Sequence, residues 1–243
     1  MRCVQKNKYK IVSLGYNCEV SSRIREIVKG EFDSYPFSWV YIGSIPKFVD
    51  ALKNIDDILK NEIVLLPSGM VKDIKYEISF HLKKIYNNIE DEKVRLNKRI
   101  AELKSRFAHL VSKFKKLLKS KQKTLFIIKY KKNENINTYF DIVKFFIENY
   151  TSKNFKILIV FEGEVPTKFY ENNIYKDFVL SSTVKEFAKD TETETGGDIE
   201  GWHSAIKSVV GNCVYKNNKF IKSFKFLKEN GLIAFFNRIF KHK

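Results

Sequence analysis

Cys18 closes the run Lys10-Ile-Val-Ser-Leu-Gly-Tyr-Asn-Cys18 and opens Glu19-Val-Ser-Ser-Arg-Ile-Arg-Glu-Ile-Val28, so it falls where a short apolar strand hands over to a helix. Unpaired N–H groups and the positive dipole end of a helix N-terminus favour a thiolate, the form of cysteine that attacks a carbonyl carbon. Gly15 suits the tight corner that would present such a nucleophile. The competing role is that of a small buried hydrophobe, which free cysteines often fill. A thiol nucleophile also needs a base, and the base needs an orienting acceptor.

Four histidines are available. His81, in Glu77-Ile-Ser-Phe-His-Leu82, reads as a strand end or strand-to-helix corner. His203, in Asp198-Ile-Glu-Gly-Trp-His203, is the alternative base. His109 reads as a partly buried residue of a long basic helix, and His242 as a solvated tail residue. Glu162, after an apolar strand, and Asp198 are the candidate orienting acids. Asn17 could donate its amide to an oxyanion alongside the Cys18 N–H, or cap the helix that follows. In Tyr35-Pro-Phe-Ser-Trp39, Pro36 fixes an extended backbone and the rings suit packing; in a functional role Phe37, Ser38 and Trp39 would wall the substrate pocket.

The block Ser13-Leu-Gly-Tyr-Asn-Cys-Glu-Val20, a helix, and then Ser34-Tyr-Pro-Phe-Ser-Trp39 resembles the opening of a bacterial and viral family catalogued as papain-like cysteine peptidases. That family's pattern is an apolar strand, Leu-Gly-x-x-Cys, a helix, Pro-Phe-[Asp/Ser]-Trp and a later Phe-x-His. Phe80-His81 matches the last of these with one residue missing, and Leu125-Phe-Ile-Ile128 and Trp202 follow in order. The resemblance covers most of residues 9–210 and implies a cysteine peptidase with Cys18 as nucleophile and His81 as base. Tyr16-Asn-Cys-Glu19 is also similar to the Gly-Asn-Cys-Gln signature of capsule-biosynthesis acetyltransferases, with Tyr16 and Glu19 in place of Gly and Gln. This second likeness implies coenzyme A as cofactor, a surface-polysaccharide precursor as acceptor, and an esterase-like fold whose nucleophile follows the first strand of a parallel sheet. Esterase-like folds place an Asp and a His close together near the C-terminus, which is the case for His203; Asp198 stands five residues before it instead of three. A non-catalytic protein holding a glycan or nucleotide-sugar in the same cleft is the reading from another class.

Strands are expected at 11–14, 63–66, 124–130, 156–161 and 176–180. The continuously apolar Leu125–Ile128 and Ile157–Phe161 have the character of strands covered on both faces of a parallel sheet. Between them, Tyr139, Ile142, Val143, Phe146 and Ile147 recur at helical spacing, giving a strand–helix–strand unit. The expected fold is α/β: an open, mostly parallel sheet sandwiched by helices, with catalytic groups beyond the C-terminal strand ends. One long amphipathic helix is expected over 89–120, with Val94, Ile100, Leu103, Phe107, Leu110, Val111, Phe114 and Leu117 along its apolar face. Thr191–Gly197 reads as a polar loop.

Residues 1–215 form the expected α/β domain and 216–243 a basic amphipathic C-terminal segment. Within Lys219–Lys243 seven basic side chains face one acid among six phenylalanines, a composition suited to peripheral contact with an anionic membrane or to docking as a closing helix pair around Gly231. The net charge of +17 is carried mostly by Lys amid abundant Ile, Asn, Phe and Tyr. An AT-rich coding bias produces that mixture, and without a zinc-ligand spacing, RNA-recognition signature or basic-region heptad it argues against nucleic acid as partner. Three cysteines, Cys3, Cys18 and Cys213, without Cys-x-x-Cys spacing argue against a disulfide framework and a structural zinc site. No signal-peptide core or spanning run is evident, so a reducing cytoplasm is expected, where Cys18 stays a free thiol.

Overall fold

The computed structural model describes residues 9–28, 32–82, 92–171, 173–190, 192 and 195–211. The expected C-terminal segment 216–243, which carries His242, lies outside them, as do Cys3 and Cys213.

Two sheets organise the chain. The first is parallel, with strand order β1-β6-β7-β8, built from β1 (Lys10–Ser13), β6 (Thr124–Lys129), β7 (Phe155–Glu162) and β8 (Val179–Val184). Its central strands show why continuous apolar runs were needed. Leu125, Ile127, Leu158 and Val160 pack on one face against α1 (Cys18–Val28) and α6 (Ile199–Val210). Phe126, Ile128, Ile157, Ile159 and Phe161 belong to the core on the other face, with α4 (Ile136–Asn149) and the C-terminal half of α3 (Glu92–Leu118). The period-2 alternation of a strand thus serves two cores at once. In the larger core Phe126 lies 4.1 Å, centroid to centroid, from Phe146, and Phe114 is set edge-on to both.

The second sheet was not expected. Between α1 and α3 the chain inserts β2 (Val40–Ile42), α2 (Ile45–Lys53), β3 (Ile63–Leu65), β4 (Met70–Asp73) and β5 (Ile78–His81), whose strands form an antiparallel sheet of order β2-β5-β4-β3. The expected strand at 63–66 belongs here and not to the parallel sheet. The strands run three or four residues each, too short to carry an alternation that separates them from loops.

Two further expectations move. The strand placed at 176–180 lies at Val179–Val184, where Ser181, Ser182 and Thr183 hide it from a search for apolar runs: at a sheet edge one face needs no apolar cover. On α3 the buried stripe is Leu103, Phe107, Val111, Phe114 and Leu117, with Leu96 and Ile100 half-buried against the same core, whereas Val94 is exposed. No helix among the described residues is long and apolar enough to cross a membrane.

Candidate active site

The corner between β1 and α1 is made by two consecutive left-handed residues, Gly15 (φ 86°) and Tyr16 (φ 87°). Gly15 is required: a Cβ there would stand 2.9 Å from the Phe37 carbonyl oxygen. Tyr16 holds the same strained region with a side chain, a cost of order 1–3 kcal/mol that the surroundings must offset. They do so by pinning the corner to the second sheet, where the Ile42 N–H donates to the Tyr16 carbonyl at 2.8 Å and the Tyr16 ring meets Tyr41 at 5.9 Å. Cys18 follows as the first residue of α1 and is partly exposed.

The same pinning brings in His81. The Trp39 N–H donates to Ser21 Oγ on α1 at 3.2 Å, and the next residue, Val40, pairs with Phe80 across β2 and β5. His81, the last residue of β5, is thereby brought over the helix N-terminus, and its Nε2 lies 3.1 Å from Cys18 Sγ. Two residues 63 apart in sequence form a thiol–imidazole dyad. His81 keeps an open face to water while its other side is crowded. This partial burial, helped by the Arg106 guanidinium, holds its pKa below the usual histidine value. The neutral imidazole, the form able to accept the thiol proton, is therefore favoured near neutrality.

Asn17 is buried and turned back on its own helix: its Oδ1 accepts from the Glu19 N–H at 3.1 Å and its Nδ2 donates to Asp190 Oδ1 at 3.0 Å. It is a helix cap, which displaces the expected oxyanion role for its side-chain amide. Below it, Glu19 is wholly buried. Its Oε2 accepts from Lys129 Nζ at 2.8 Å, and its Oε1 accepts from the Trp202 Nε1–H and the Ala188 N–H, each at 2.9 Å. Lys129 also stands 4.2 Å from the centre of the Phe187 ring. These contacts clamp the first turn of α1 to β6, to α6 and to the loop after β8.

His203 is not part of the dyad. Its Nε2 meets Glu26 Oε2 at 3.1 Å, and Glu26 stands eight residues beyond Cys18 on α1, about 12 Å along the helix axis. Neither expected acid reaches His81. Asp198 caps α6, accepting from the Gly201 N–H at 2.9 Å and the Lys185 N–H at 2.8 Å, which holds its carboxyl below the usual range. Glu162 accepts from the Phe187 N–H at 2.8 Å. Among the described residues no carboxylate bonds to His81, and none form a cluster of three metal-ligating side chains. His109 is exposed on α3, where the expected reading had it partly buried.

A cavity of about 280 Å³ opens on the His81 side of the dyad. Ser38, Trp39, His81 and Arg106 line it over apolar walls that include Leu103 and Phe107. Ser38 and Trp39 thus stand where a substrate pocket was expected, and Phe37 does not. Its ring is fully buried, edge-on to Phe48 at 4.8 Å and to Phe114 at 6.1 Å, and the expected extended backbone at Pro36 is instead a turn in which the Ser38 N–H donates to the Tyr35 carbonyl at 3.0 Å. A larger groove, about 630 Å³, runs between α3 and the Ile55–Lys60 segment, but neither Cys18 nor His81 lines it. Arg106 escaped sequence reasoning because it is one of many cations on the polar side of α3, and only the arrival of β5 beside it gives it a place at the site. No protein-family model and no curated protein matches the chain.

Proposed function

We propose that this protein is a thiol-dependent acyl hydrolase of the cysteine-peptidase kind, with Cys18 as nucleophile and His81 as base. The observation that carries the reading is the 3.1 Å approach of His81 Nε2 to Cys18 Sγ at a helix N-terminus. In this scheme neutral His81 takes the thiol proton as sulfur attacks the carbonyl carbon, and the oxyanion develops against the amide end of α1. His81 then returns the proton to the departing amine, alcohol or thiol. Water, deprotonated by His81, cleaves the resulting Cys18 thioester and regenerates the pair. β5 fixes the His81 backbone, and among the described residues no carboxylate orients its ring. The resemblance of the Leu14-Gly15 to Cys18 and Pro36 to Trp39 blocks to papain-like peptidases points the same way.

Acyl transfer is the second reading, favoured by a nucleophile that follows the first strand of a parallel sheet. The same thioester would form from a coenzyme A donor, and a hydroxyl of a polysaccharide precursor would take the place of water. Release of p-nitrophenol from p-nitrophenyl acetate tests both readings. Cys18→Ala abolishes turnover and His81→Ala lowers it by about 10²–10⁴-fold. Acceleration by added polyol acceptors selects transfer. Full activity in Cys18→Ala would remove both readings, and no turnover in the wild type would favour the non-catalytic binding protein.

A further inference from the structure

We propose that Arg106 makes the cavity beside the dyad a carboxylate-recognising pocket, so that the acyl group delivered to Cys18 is small, partly apolar and carries an acid. This rests on the Cys18–His81 reading and names its substrate class.

Arg106 lines the cavity and is exposed, and its Nη2 lies 3.4 Å from the His81 carbonyl oxygen, a long contact that leaves most of the guanidinium fork for other acceptors. Several cations elsewhere on α2 and α3 are matched by acids: Lys47 by Glu77 at 2.5 Å, Lys113 by Asp33 at 3.0 Å, and Lys115 by Asp56. Among the described residues no carboxylate pairs with Arg106, and none lines the cavity. A cation at the mouth of an apolar-walled cavity attracts anions more strongly than one on an open surface, because the walls keep out the water that would screen it. One guanidinium matches one carboxylate in charge and in two-pronged geometry. A phosphate, at roughly −1.5 to −2, would remain half-neutralised by Arg106, the only Lys or Arg among the described lining residues. The volume, about 280 Å³, is at the small end for ligand pockets and suits a short acyl chain. Apolar contact with Leu103 and Phe107 would hold the chain while Arg106 holds its acid.

Alkylation of Cys18 in the full-length protein reads this directly, with iodoacetate as carboxylate probe and iodoacetamide as its neutral counterpart. The ratio of the two rates cancels the thiolate fraction, and near pH ~8 His81 adds no charge of its own. At ~0.15 M salt the wild-type ratio is expected to exceed that of Arg106→Gln by about three- to tenfold, with Arg106→Lys keeping most of the excess. Lys104→Gln removes one charge from the same helix outside this cavity and should leave the ratio unchanged. An Arg106→Gln ratio equal to wild type, or an equal fall in Lys104→Gln, overturns the proposal. Failure of the dyad shows separately, as an iodoacetamide rate that His81→Ala does not alter.

Discussion

At the scale of single residues, the site joins a thiol placed by a helix to an imidazole placed by a strand end. His81 is held below its ordinary pKa by partial burial first and by Arg106 second. Because the protonated form is the disfavoured one, activity that needs neutral His81 is retained as pH falls through ~6.5 and is lost only below it. The acid limb of the kcat/KM profile for p-nitrophenyl acetate should accordingly lie under the value of a free histidine. Arg106→Gln removes one of the two causes and should move that limb upward, whereas Arg106→Lys should not. A limb that stays in place in Arg106→Gln would mean that the guanidinium does not act on the imidazole. The approach of Cys18 and His81 was legible in the sequence, through the helix-start position of one and, for the other, its strand-end context and the resemblance carried by Phe80-His81. Asn17 was legible only as an alternative: a residue before a helix can aim its amide outward or cap, and the choice depends on Asp190, 173 residues away.

At the scale of elements, the decisive parts are the corner that exposes Cys18 and the clamp beneath it. Gly15→Ala places a methyl group 2.9 Å from the Phe37 carbonyl in a left-handed backbone, and should cost about 1–3 kcal/mol in urea denaturation. Glu19→Gln keeps an acceptor for Trp202 and Ala188 but strips the buried Lys129 of its counter-charge. A loss of about 3–5 kcal/mol is expected, as for other broken buried pairs. A Glu19→Gln protein as stable as wild type would show that the pair does not hold α1 in place. Strands β6 and β7 and helix α4 were readable because each buries enough side chains to impose its period on the sequence. Strands β2 and β4 were not, and β5 only as the strand end at His81, since so few residues fix no period and their pairing is set by partners distant in sequence.

At the scale of the whole molecule, a parallel sheet leads into Cys18 and an inserted antiparallel sheet ends at His81, so the site exists only where the two meet. The α/β class could be read from alternating apolar runs and helical stripes, but the insertion could not, and with it went the route by which His81 arrives. The basic, phenylalanine-rich 219–243 bears on where the molecule works: if it contacts anionic membranes, the full-length protein should sediment with phosphatidylglycerol vesicles at low salt and be released at high salt, with neutral vesicles as control. Equal sedimentation with both vesicle types would exclude an electrostatic contact. The central claim, that His81 activates Cys18, is tested most directly by iodoacetamide labelling and peptide mapping across pH in the wild type and His81→Ala. Below neutral pH Cys18 should react faster than Cys3 and Cys213, with that advantage falling at least about tenfold in His81→Ala. A Cys18 that reacts no faster than the other two, or that keeps its rate without His81, would contradict the account.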